Sequence, residues 1–193
     1  LVIIIQKYLF TMKISPLKSV FLVSLMLLNF TLSAQIQKVN PEEPQKMVEE
    51  TMKPFLKAIP INLLPIYGIS DTLEIQNAQV GTPIPVYYID HDTLQFSNTW
   101  RVPLIINNQF RSLFTVFFEH ESYAIVDFGA VVLAQDIQNY ISSTPIVGLL
   151  RVFPLQRDYF ISETKSKELL FDPIPVSKNQ KIKLTEIIRN IKK

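Results

Sequence analysis

From Trp100 to Phe128 apolar residues recur at every second position, and the run is broken twice by short polar turns. Trp100, Val102, Leu104 and Ile106 alternate with Arg101, Pro103, Ile105 and Asn107. After Asn107-Asn108, residues that tolerate a positive φ, Phe110, Ser112, Phe114, Val116 and Phe118 alternate with Arg111, Leu113, Thr115, Phe117 and Glu119. Glu119-His120-Glu121 then turns the chain into residues 123–128. Period two is the repeat of a strand, and strands joined this tightly can only run antiparallel. The spacing predicts a three-stranded meander and excludes an all-helical fold.

Further strands are expected around this centre. Residues 83–89 are rich in β-branched and aromatic side chains, and Pro83 and Pro85 place that strand at a sheet edge. Residues 146–153 and 158–162 read as two more strands, and residues 169–171 as a short last one. Helical spacing appears in three places. Asn40-Pro41-Glu42-Glu43 starts a helix with an Asn cap, a Pro at its first position and acids at the positive end of the dipole. Val48, Met52, Phe55 and Ile59 follow along it, and Pro54 is expected to kink or end its regular part. Ala130, Leu133, Ala134, Ile137 and Ile141 mark a second helix near residues 130–142. Leu184, Ile187, Ile188 and Ile191 give the stripe of an amphipathic C-terminal helix within residues 180–193. Between the first helix and the sheet, residues 60–71 are too apolar to be solvated and are expected to cross the core as an extended strap.

The fold expected is α+β: an antiparallel sheet, its meander around residues 100–128, with the three helices packed on it. Its outline resembles small cystatin-like and nuclear-transport-factor-like folds in shape alone, which implies nothing about activity.

The first 34 residues differ in kind. Met12-Lys13 opens a basic stretch ending at Lys18, a 13-residue apolar run covers 20–32, and Ser33-Ala34 follows. Basic, apolar, then small is the order of a secretory signal peptide. A helix of that apolar length spans about 20 Å, short of the ~30 Å hydrocarbon core. Residues 1–11 read as upstream sequence, 12–34 as the signal, and 35–193 as one globular domain beginning at Gln35, or at Ala34 if the cut falls one residue earlier. The expected location is periplasmic or extracellular, with an uncleaved membrane anchor as the alternative.

Without the signal, the charge changes sign. Residues 35–193 carry 16 Lys and Arg against 17 Asp and Glu, which removes the electrostatic case for nucleic acid. Residues 35–164 hold eight bases and fourteen acids, whereas residues 165–193 hold eight bases and three acids. The basic tail is expected to dock on the acidic body, with a partner-binding tail as the other reading.

Composition narrows the chemistry. With no Cys there is no disulfide, thiolate nucleophile, Cys-ligated zinc or iron–sulfur cluster. The four glycines, Gly68, Gly81, Gly129 and Gly148, are too dispersed for a phosphate loop or a nucleophile elbow. No cofactor is implied. Both histidines sit in acidic triplets at expected turns, Asp90-His91-Asp92 and Glu119-His120-Glu121. Oxygen and imidazole ligands suit a divalent metal, but turns collect such residues because they are solvated. Arg101 and Arg111, with the tail cations Lys181, Lys183 and Arg189, are the candidate partner-facing charges. Two functions are carried forward. The first is an exported, non-catalytic module binding a protein, peptide or envelope component. The second is a hydrolase with a site near His91 or His120.

Overall fold

The computed structural model describes Ile36, residues 39–175 and residues 180–193. The expected signal and the segment before it lie outside the described residues. In chain order the strands are β1 (Gln79–Val80), β2 (Ile84–Asp90), β3 (Thr93–Ile106), β4 (Gln109–Glu119), β5 (Ser122–Gly129), β6 (Gly148–Val152), β7 (Arg157–Glu163) and β8 (Leu169–Pro173). The α-helices among the described residues are α1 (Glu42–Ala58), α2 (Val131–Ile141) and α3 (Leu184–Ile191). The strands form one sheet in the order β5-β4-β3-β2-β6-β7-β8, with β1 paired to β3. Every pairing is antiparallel except that of β2 with β6. The α+β fold with an antiparallel sheet is therefore as the sequence predicts.

The meander is one strand longer than the alternation suggests. β3 starts at Thr93 and forms a further hairpin with β2. All three hairpins turn on two residues with positive φ: His91 (46°) and Asp92 (63°), Asn107 (52°) and Asn108 (61°), His120 (50°) and Glu121 (60°). That geometry matches the twist of the flanking strands. Bulges then shift the faces. Leu104 pairs with Ser112 but Ile105 with Phe110, so Arg111 is an extra residue, and Val126 is extra in β5. One such residue moves its neighbours to the other side, and Phe110 accordingly packs with the core opposite that of Phe114.

Both faces of the sheet are covered. On one, Val48, Met52 and Leu56 of α1 pack against Trp100, Val102, Leu104, Phe114 and Val116. α1 starts one residue later than expected, with Pro41 in its cap position, and Asn40 Oδ1 accepts the Glu42 N–H at 3.1 Å. Pro54 does not end α1, which continues to Ala58. On the other face, Ala134, Ile137 and Tyr140 of α2 meet Leu113, Leu149 and Phe160. Tyr140 takes the inward place expected for Ile141, which is exposed. The C-terminal helix closes the far half of the sheet: Leu184 and Ile187 are buried against Leu150, Tyr159 and Phe171, while Ile188 and Ile191 are half-buried. Just before it, Ile182 and Phe171 exchange two backbone hydrogen bonds, both 3.0 Å, which covers the edge of β8.

Two further expectations fail. Residues 60–71 do not cross the core as an extended strap: residues Ile61–Tyr67 coil into 3-10 turns in which only Leu64 is buried. Nor is β2 at an edge of the sheet, since it lies between β3 and β6. Its prolines explain how. β2 meets β6 only at Val86↔Leu149 and Tyr87↔Leu150, so Pro83 and Pro85 precede the pairing and no missing N–H is required there. Gly148 makes the close approach possible, because a Cβ there would lie 2.6 Å from the Tyr87 ring and 3.0 Å from the Pro85 carbonyl oxygen. Gly148→Ala should therefore force the strands apart and cost about 1–3 kcal/mol. Denaturant unfolding checks this, and a variant as stable as the parent would show that the approach is not constrained.

Candidate binding site

The structure gives both histidines a conformational role. Each begins a two-residue turn in the left-handed region, which His, Asn and Asp enter more readily than most residues. Their side chains are 92% and 88% exposed, so both imidazoles are solvated. His91 Nδ1 lies 2.9 Å from the Asp90 carboxylate, and that hydrogen bond raises its pKa above the ordinary value. His120 is 3.8 Å from Glu119. The two turns do not meet: β3 runs six residues beyond its last pair with β4, Thr99↔Phe117, or about 20 Å of strand. Among the described residues no three metal-ligating side chains come together.

The cations are also placed. Arg101 donates to Thr115 Oγ1 on β4 and lies 3.9 Å from Asp127 on β5, a row across the sheet. Burial pulls its pKa down, and the Asp127 charge opposes that pull. Arg111, the bulge residue, leaves the sheet and reaches Glu74 at 3.4 Å. Lys181 is 4.0 Å from buried Asp172, Lys183 is 2.8 Å from Glu168, and Lys192 is 2.6 Å from Asp92. Hydrogen bonding to Glu168 raises the Lys183 pKa. Arg189 lies on the exposed side of α3. Of these pairs only Lys192–Asp92 ties the basic tail to the acidic body, because Glu168 and Asp172 lie within the tail itself.

What the sequence did not disclose is a cleft of about 610 Å³ where β2 and β6 splay apart. One wall is Val80, Pro83, Ile84 and Pro85, the other Ile141, Pro145, Ile146 and Val147, with Ile105 and Phe110 between them. Gln45 and Thr82 supply its polar side chains, and no titratable residue lines it. The walls are held from outside. Val147 donates to the Ile161 carbonyl at 2.8 Å, and Gly81 to that of Pro103 at 2.8 Å. Gln138 of α2 accepts the Phe110 N–H and donates to the Asn108 carbonyl, both at 2.9 Å, and so fixes the β3–β4 turn. Among the described residues β1 pairs with β3 alone, and its Val80 lines this space.

A smaller cleft of about 200 Å³ lies at the other end of β2, lined by His91, Asp92, Arg151, Phe153, Ile188 and Lys192 among others. Its lining holds no Ser or Thr, and His120 is not part of it.

Fold and cleft define an α+β protein with an apolar slot at a splayed parallel strand pair. Comparison with protein-family models, curated proteins and solved structures finds no match to this chain. Among the described residues no helix is long and apolar enough to cross a membrane.

Proposed function

We propose that this protein is an exported, non-catalytic binding module whose large cleft takes an extended apolar segment of a partner polypeptide. The observation that carries this reading is the chemistry of the lining: an open, preformed apolar slot without a titratable side chain can hold a ligand but offers it no acid, base or charged nucleophile. Strand β1, paired among the described residues with β3 alone and reaching the slot through Val80, is the place for strand addition by that segment. Export rests on the order of charge, apolar run and small residues over 12–34. The hydrolase alternative has an exposed Asp–His pair at one turn and no Ser or Thr lining the cleft beside it.

Anisotropy with labelled peptides tests this directly. Peptides alternating Val or Ile with polar residues should bind, and charged scrambles should not. Ile146→Lys, which puts an ammonium into the apolar slot, should weaken binding about ten-fold or more while the melting temperature holds. Equal affinity in the variant, or no selectivity for the apolar peptides, would refute the proposal.

A further inference from the structure

The failed expectation for residues 60–71 points to a second surface. Residues 58–70 contain no charged side chain, yet the fold leaves much of this stretch in water. Ile61 is 72% exposed, Ile66 67% and Leu63 36%, and Leu73 just beyond is 67% exposed. The turn is firmly anchored. Leu64 and Ile69 are buried, Tyr67 stacks on Phe128 at 5.1 Å, and Gly68 (φ 74°) sits where a Cβ would strike the Arg111 carbonyl oxygen at 2.7 Å. A rigid support therefore presents aliphatic tips outward.

Beside the turn lies a cleft of about 440 Å³ with Leu56, Ile59 and Ile75 among its lining and Lys53 and Lys57, one helical turn apart on α1, at its rim. Lys46 on the same helix pairs with Glu50, but among the described residues neither Lys53 nor Lys57 has an ion-pair partner. Exposed aliphatic side chains next to unpaired ammonium groups match a particular kind of partner. Protein interfaces favour Tyr, Trp, Phe, Met and Arg and are depleted in Lys. A membrane interface takes aliphatic side chains into the acyl boundary and lysines among anionic headgroups.

We propose that this face docks on an anionic lipid bilayer, with Ile61, Leu63 and Ile66 entering the acyl boundary and Lys53 and Lys57 meeting the headgroups. It shares no lining residue with the cleft between β2 and β6, so the two readings stand or fall separately.

The absence of Cys makes the test clean. The full chain carrying Ile66→Cys, labelled with an environment-sensitive fluorophore, is mixed with vesicles of phosphatidylcholine alone or with about a third phosphatidylglycerol. The probe reports the turn itself, whatever the N-terminal apolar segment does. Its emission should shift to the blue with anionic vesicles, and a label at Asn139→Cys, on exposed α2 across the sheet, should not respond. Lys53→Glu with Lys57→Glu should weaken the response about 25-fold or more, roughly five-fold for each positive charge lost. The melting temperature of the parent confirms that both labelled proteins are folded. A probe at position 66 that stays unchanged while the protein floats with the vesicles would overturn the proposal. So would a blue shift without lipid that grows with protein concentration, which would make the partner a second copy.

Discussion

Phe114→Ala is expected to lower the unfolding free energy by about 3–5 kcal/mol, the largest loss from any single truncation considered. Phe114 is fully buried at the centre of β4. Its ring lies 4.5 Å from that of Phe128 on β5 and 5.7 Å, edge-on, from that of Phe55 on α1. Removing it therefore loses the transfer free energy of the ring, leaves a cavity under α1 and deletes two aromatic pairs. A drop in melting temperature of about 10 °C or more should follow for a chain of this size. The control is Val126→Ala at the β5 bulge, which is 58% exposed and should change stability by no more than about 0.5 kcal/mol. Urea unfolding of both variants decides the point. Similar losses for the two would mean that the core of the meander is not where the burial places it.

Tyr140→Phe is the second large effect, and it removes one atom. The Tyr140 hydroxyl donates to the carboxylate of Asp172, which is only 3% exposed, while the ring stacks on Phe160 at 4.3 Å. Phenylalanine keeps the ring packing but leaves a buried carboxylate with Lys181, 4.0 Å away, in place of that hydrogen bond. Breaking such a buried charged contact costs about 3 kcal/mol. Adding Asp172→Leu to Tyr140→Phe should recover part of the loss, because an apolar pair leaves nothing unsatisfied. The pH dependence has a definite sign. Burial, reinforced by the hydrogen bond to Asp172, raises the Tyr140 pKa above its ordinary value of 10.0. A folded-state pKa above the unfolded one contributes stability below pH of about 10, and that contribution is lost as pH rises further. Wild type should thus lose stability in that alkaline range more steeply than Tyr140→Phe. Superimposable alkaline profiles would show that the hydroxyl titrates alike in both states.

The legible part of the fold was the part written in local periodicity. Alternation from Trp100 onward placed the meander, and the stripe from Leu184 to Ile191 placed α3, because in both cases the burial period belongs to a single element. What escaped depends on chain segments far apart. The bulges at Arg111 and Val126 insert one residue each, and no local pattern distinguishes them from continued alternation. Pro83 and Pro85 mark locally where β2 lacks a β6 partner, but the rest of the strand is central, which no local signal shows. The candidate site escaped for the same reason. Its lining comes from α1, the β1–β2 region, β3, the start of β4, the end of α2 and the connector before β6, and none of these carries a chemical signature. The side chains of His91 and His120 suggest chemistry, whereas the fold uses their backbone conformation.

The lone parallel pairing also bears on how the molecule assembles. The hairpins joining β2 through β5, and those joining β6 through β8, bring together residues close in sequence, so each group can form early at small entropic cost. The seam between the groups pairs Val86 with Leu149 and Tyr87 with Leu150, which closes a loop of more than sixty residues for two pairs of partners. Such a contact is expected to close after the two half-sheets have formed. The slot opens at the end of that seam, so a chain halted before docking would display two unpaired β edges and no site at all.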